Sequence, residues 1–122
     1  MRRVVCFAAA LALVPVTLAF AASPFDGQYK GANTLTRGAP PTCAEGRAIT
    51  WSVTDGHISI NYGNVPITAD VAADGSFRTN VHYQVGGKQQ AEATMQGRIT
   101  GANLEADVES YACKYHYALK KG

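Results

Sequence analysis

The chain reads as an all-β domain, an antiparallel eight-stranded up-and-down meander that closes into a small barrel and carries one disulfide. Three observations predict this. Beyond the first residues, apolar and polar side chains alternate at period two almost to the end, and no stretch keeps helical periodicity for three turns. Short glycine-containing pairs and triplets punctuate that alternation at regular intervals, as hairpin turns do.

The N-terminus stands apart from this pattern. Met1-Arg2-Arg3 is a short positive segment, Val4 to Phe20 is an apolar run, and Ala19-Phe20-Ala21 is a small-x-small site. Together they predict an export signal over residues 1–21, removed before Ala22, with residues 22–122 forming a single domain. The apolar run approaches the length of a membrane anchor, but Pro15 interrupts it and a small-residue exit follows, which favours cleavage and leaves no membrane span. Cys6 lies inside the run and leaves with it. Removing Arg2 and Arg3 from the 11 basic residues leaves a set that balances the 9 Asp plus Glu, so the mature formal charge is zero. A neutral domain without a Lys/Arg cluster lacks the footprint of a nucleic-acid binder or of a protein addressed to an anionic membrane.

Cys43 and Cys113 then remain in a chain bound for an oxidising compartment, periplasmic or extracellular, and are expected to form one structural disulfide. Closing so long a loop contributes about 4 kcal/mol in the chain-entropy model. A redox role would favour a Cys-x-x-Cys pair, which is absent, and free thiols or a Cys/His metal site are the alternatives.

Taken in order, the predicted strands are Phe25–Thr36, Ala48–Thr54, His57–Tyr62, Val65–Val71, Ser76–Gln84, Gln89–Thr100, Asn103–Glu109 and Ala112–Lys120. Residues opposite one another in an antiparallel pair share a face, so parity predicts each loop length. Asp55-Gly56, a favoured type I′ pair, sets Val53 against Ile58, Trp51 against Ile60 and, outside, Ser52 against Ser59. Gly63-Asn64 sets Tyr62 against Val65 and Ile60 against Ile67. A three-residue loop, Ala73-Asp74-Gly75, sets Val71 against Phe77 and Ile67 against Val81, with Gly75 at a left-handed position. Gly86-Gly87-Lys88 sets Tyr83 against Ala91 and Val81 against Ala93. Gly101-Ala102 sets Ile99 against Leu104, Met95 against Val108 and, outside, Arg98 against Glu105. The last hairpin sets Val108 against Cys113, Ala106 against Tyr115 and Leu104 against Tyr117, with Asp107–Lys114 and Glu105–His116 outside. One face is apolar through every hairpin, and closure of the meander buries it while removing exposed edges. The connection Arg37–Arg47, with Gly38, Pro40, Pro41 and Gly46, is too long for a tight hairpin and forms a lid or belt that Cys43 clamps to the last strand.

Several strings carry a resemblance. Phe25-Asp26-Gly27-Gln28-Tyr29-Lys30-Gly31, Ala73-Asp74-Gly75-Ser76-Phe77, Gly97-Arg98-Ile99-Thr100-Gly101 with Leu104-Glu105-Ala106, and Cys113-Lys114-Tyr115 together resemble a group of small exported proteobacterial proteins of unknown function. The resemblance implies fold and export and no activity. More distantly, a meander with a long first connection resembles calycins, the lipocalin and avidin type of barrel. Gly27-Gln28-Tyr29 stands where they have Gly-x-Trp; Tyr replaces the Trp, and no clear last-strand Arg is available to pack on it.

Chemistry-bearing motifs are scarce. His57, His82 and His116 fall on the outward parity of separate strands without zinc-site spacing, and read as surface histidines, with His116 beside Glu105. Glu105, Asp107 and Glu109 form an outward acidic stripe that reads as a solvated face offset by Arg98 and Lys114. No nucleophile elbow, phosphate loop or dinucleotide fingerprint occurs, so no catalytic residue, metal or cofactor is expected.

The aromatic residues matter more. Tyr29, Trp51, Tyr62, Phe77, Tyr83, Tyr115 and Tyr117 share the inward parity, and an eight-stranded barrel is either filled by side chains or holds one small ligand. The sequence therefore leads to a monomeric exported binding protein, not an enzyme. One reading is an envelope or inhibitor-like module that meets a protein partner through the Arg37–Arg47 loop and neighbouring hairpin tips. The other is a carrier of a small apolar or aromatic ligand held among Tyr29, Trp51, Tyr62, Tyr83 and Tyr115.

Overall fold

A computed structural model describes residues 23–122, so the expected export signal and Cys6 lie outside the described residues. Eight antiparallel strands form the fold: β1 Gly27–Arg37, β2 Ala48–Thr54, β3 His57–Tyr62, β4 Val65–Asp70, β5 Ser76–Val85, β6 Gln89–Thr100, β7 Asn103–Glu109 and β8 Lys114–Lys121. No helix long and apolar enough to cross a membrane occurs among the described residues. In the sheet the strand order is β4-β3-β2-β1-β8-β7-β6-β5, so the meander closes where the first strand meets the last. That seam is long, running from Tyr29–Lys121 to Arg37–Lys114 with one irregularity between Leu35 and Arg37.

Period-two alternation is the force behind this arrangement. Along β7 the inward Leu104, Ala106 and Val108 are buried while Glu105 and Glu109 stay in water, and β8 repeats the pattern with Tyr115, Tyr117 and Leu119. Burying one face of every strand removes apolar area from water, which stabilises at roughly 25 cal/mol per Å2. The β5–β6 and β6–β7 hairpins take the registers expected of them, including Tyr83–Ala91, Val81–Ala93, Ile99–Leu104, Met95–Val108 and Arg98–Glu105. Gly97 sits opposite Phe77 in this half, and a Cβ there would come within 2.7 Å of the Phe77 ring and 2.3 Å of Glu105 O. The strand glycine thus makes room for a ring lying across it.

Three registers depart from expectation. The β4–β5 turn has its three-residue loop: Ala72 N donates to Ser76 O at 2.8 Å, and Asp74 accepts from the Ser76 amide and hydroxyl, which holds its carboxyl below the usual range. Gly75 has φ +87°, and a Cβ there would meet Ile99 O at 2.1 Å. Beyond the turn, however, the Val71–Phe77 and Ile67–Val81 pairs do not join a ladder; β4 and β5 are the two ends of the sheet and the barrel is nearly, not fully, closed.

The β2–β3 hairpin keeps only Val53–Ile58 and Thr54–His57, so Trp51–Ile60 and Ser52–Ser59 do not form. β2 follows β1 through six pairs, whereas β3 follows β4 through six others and is drawn across the barrel by Tyr62, which bonds Ser110 at 3.1 Å. The two strands therefore part above their turn. In the last hairpin the register slips by two: Val108 faces Tyr115, Ala106 faces Tyr117 and Leu104 faces Leu119, while His116 lies opposite Asp107 and Lys114 opposite Glu109. Ser110 N donates to Cys113 O at 2.8 Å, closing a turn that keeps Cys113 out of the strand and bonded to Cys43 at a Cα separation of 5.7 Å. A slip of two preserves every side chain's face, so the core is unchanged.

The barrel has one plugged end and one mouth. At the plugged end the Asp26 carboxylate accepts from Asp55 N and Gly56 N at 2.8 and 2.9 Å, and the Tyr29 hydroxyl donates to Phe25 O at 2.7 Å. The Lys121 ammonium, from the last strand, lies 5.9 Å from the centroid of the Tyr29 ring. At the mouth the connection from Gly38 to Arg47 is clamped three ways: by the Cys43–Cys113 bond, by Tyr115 Oη donating to Ala44 O at 2.6 Å, and by Asn33, whose Oδ1 accepts from Arg47 N at 2.7 Å. This connection is a belt and not a free lid.

Candidate functional site: the mouth of the barrel

Beneath the belt lies a cavity of about 570 Å3, inside the roughly 300–1,000 Å3 range of small-ligand sites. Of the five residues read from the sequence as ligand contacts, Trp51, Tyr62, Tyr83 and Tyr115 line it together. Tyr29 does not; it is fully buried at the plugged end, where its hydroxyl holds the N-terminal segment. Parity identified its face, but height along the barrel separates it from the others.

Each ring has a structural reason for its place. Trp51, nearly buried on β2, lies 4.4 Å from the centroid of Tyr117 on β8 in a tilted stack. Tyr62, at the end of β3, meets Tyr115 edge-on at 6.1 Å and 70°. The phenolic oxygens of Tyr62, Tyr83 and Tyr115 have protein partners. Ser110 Oγ donates its single proton to Cys113 O at 3.2 Å, so Tyr62 is the donor in its own bond to Ser110. Tyr83 Oη accepts from Tyr111 N at 3.2 Å, and Tyr115 Oη donates to Ala44 O at 2.6 Å. Burial raises the Tyr117 and Tyr62 phenols above their ordinary value, so both stay neutral at physiological pH. The cavity consequently offers ring faces and the aliphatic walls of Ile49, Ile60 and Val85.

Tyr117, Asn33, Ser110, Arg47 and Glu45 also belong to this site. Tyr117 was legible as an inward ring; the others follow from the belt, whose path no hydrophobic pattern encodes. Arg37 stands nearby, bonded to Glu109 at 3.3 Å and donating to Ser110 O at 2.8 Å. Tyr111, 70% exposed, stands on the rim next to the disulfide.

The remaining polar candidates lie on the outer face, away from the cavity. His57 pairs with Asp70, and His116 Nδ1 lies 3.1 Å from Asp107 Oδ1, so the expected His116–Glu105 pairing is replaced by one set by the two-residue slip. His82 is exposed on β5. In the acidic stripe Asp107 meets His116 and Glu109 pairs with Arg37, while Arg98 reaches Asp74 at 3.4 Å. Among the described residues no three His, Cys, Asp or Glu side chains gather as a metal ion requires. No family model, curated protein or solved structure matches the chain.

Proposed function

We propose that the protein is an exported, non-catalytic carrier that holds a small apolar or aromatic ligand in the mouth of its barrel. The observation that supports this is the cavity itself: aromatic side chains surround about 570 Å3 of space, with the hydroxyls of Tyr62, Tyr83 and Tyr115 bonded to the protein, leaving ring faces for a ligand. The Cys43–Cys113 bond supports a periplasmic or extracellular setting. The calycin-like reading is supported by closure of the first strand on the last and by Lys121 over Tyr29. Native mass spectrometry of the protein recovered from its own envelope tests the carrier reading. A small adduct lost on denaturation is expected, and a bare chain that also gives no Trp51 quenching with apolar aromatic probes would overturn it.

The interaction-module reading is supported by the exposed Tyr111, which stands on the cavity rim beside the clamped belt. Aromatic side chains of that kind anchor protein interfaces. Tyr111→Ala abolishes capture of a protein partner if that reading holds.

A further inference from the structure

The inference that follows rests on the carrier reading and names the ligand's chemistry. The hydroxyls of Tyr62, Tyr83 and Tyr115 are engaged by the protein, so the charge presented to a ligand comes from elsewhere. Of the two nearby cations, Arg37 is neutralised by Glu109 and holds the Ser110 carbonyl. Arg47 differs. It lines the cavity and also the outer groove where β2 and β3 part, facing Ile60 and Asn61, and it has no ion pair among the described residues. Glu45, the other charged group of the rim, shares with Arg47 the cavity and the groove beside β1, but of the two only Arg47 borders the β2–β3 gap.

We infer that the ligand is a planar apolar compound bearing one oxyanion, with its ring against Trp51 and Tyr117 and the anion on Arg47 at the gap between β2 and β3. The missing Trp51–Ile60 and Ser52–Ser59 pairs open that gap, so the polar end reaches water while the ring stays under the belt. A guanidinium suits the task because its fork of N–H donors matches a carboxylate, sulfonate or phosphate.

Anilinonaphthalene sulfonate and its neutral parent, phenylnaphthylamine, share one ring system and differ by the anion, which makes them the probes of choice. Each is titrated against the disulfide-bonded protein, following probe emission and Trp51 quenching. Both are expected to bind at one site, the sulfonate more tightly and with an affinity that falls as salt is added. Arg47→Gln is expected to weaken the sulfonate by about tenfold and to leave the neutral probe within about twofold. The substitution keeps the backbone bonds that Arg47 N and O make with Asn33, and an unchanged unfolding midpoint checks this. If both probes bind and Arg47→Gln shifts them equally or not at all, the anion assignment falls while the carrier reading stands. If neither binds, the carrier reading falls and the inference with it.

Discussion

The two ends of this barrel are built from the same alternating pattern and come out differently. At the plugged end, Ile58, Ile99, Leu104 and Tyr29 are almost wholly buried, and the N-terminal segment closes the floor through Asp26 and Phe25. At the mouth, Ile49, Ile60, Tyr62, Tyr83 and Val85 are only half-buried around open space. Aliphatic side chains interdigitate and fill volume, whereas tyrosines must bring a hydroxyl to a polar partner. Here those partners are Ala44, Ser110 and the Tyr111 amide, all at the rim, so the rings stand along the wall. Alternation thus decides which side chains face inward, and side-chain chemistry decides whether the interior is full.

The largest expected effect breaks the mouth. The double variant Cys43→Ser/Cys113→Ser is expected to lose about 4 kcal/mol of stability. Hydrogen exchange should accelerate over residues 38–47 and 110–113 while the plugged end keeps its protection, and uniform acceleration would show that the two ends are one cooperative unit. Next, Leu104→Ala should cost about 2–5 kcal/mol in urea unfolding, since Leu104 is fully buried in a filled region. A loss below about 1 kcal/mol would mean that the plugged end tolerates a void as the mouth does.

Asp26→Ala removes the acceptor of two turn amides and should cost about 1–2 kcal/mol, read from the same urea midpoints, without altering probe binding at the mouth. Weakened probe binding would show that the ends communicate. A smaller, pH-dependent effect involves the phenols. Burial holds Tyr62, Tyr117 and Tyr29 above the ordinary value of 10.0, so the native state keeps these protons more tightly than the unfolded chain. Their contribution is fully present below that value and is lost as pH rises through the raised ones. Urea midpoints should therefore fall above about pH 10, and Tyr62→Phe/Tyr117→Phe should flatten the fall; a midpoint that rises with pH would contradict the assignment. Smallest of all, Tyr83→Phe should cost under about 1 kcal/mol, because the group loses one half-exposed hydrogen bond, and a greater loss would place Tyr83 in the filled region.

Much of this was legible beforehand. The eight strands appear within two residues of their expected ends, the Asp55-Gly56, Gly63-Asn64 and Gly101-Ala102 turns have their expected lengths, and Cys43 bonds Cys113. Period two and turn chemistry are local properties, and local properties are written residue by residue. That four of the five residues read as ligand contacts line one cavity has the same cause, their inward parity. Arg47, Asn33 and Ser110 were not legible, because their roles depend on where the belt crosses the mouth.

What the amino-acid sequence determined alone is the face of each side chain, the span of each strand and the length of most turns. Tertiary structure decided the rest: the parting of β2 from β3, the unladdered β4–β5 boundary, the two-residue slip of β8, and the division of the inward rings between a filled end and a hollow one. The reason is physical. A pattern of period two is unchanged by a slip of two and carries no information about distance across a barrel. Those distances are set by bonds between residues far apart in the chain: Tyr62 with Ser110, Tyr115 with Ala44, and Cys43 with Cys113.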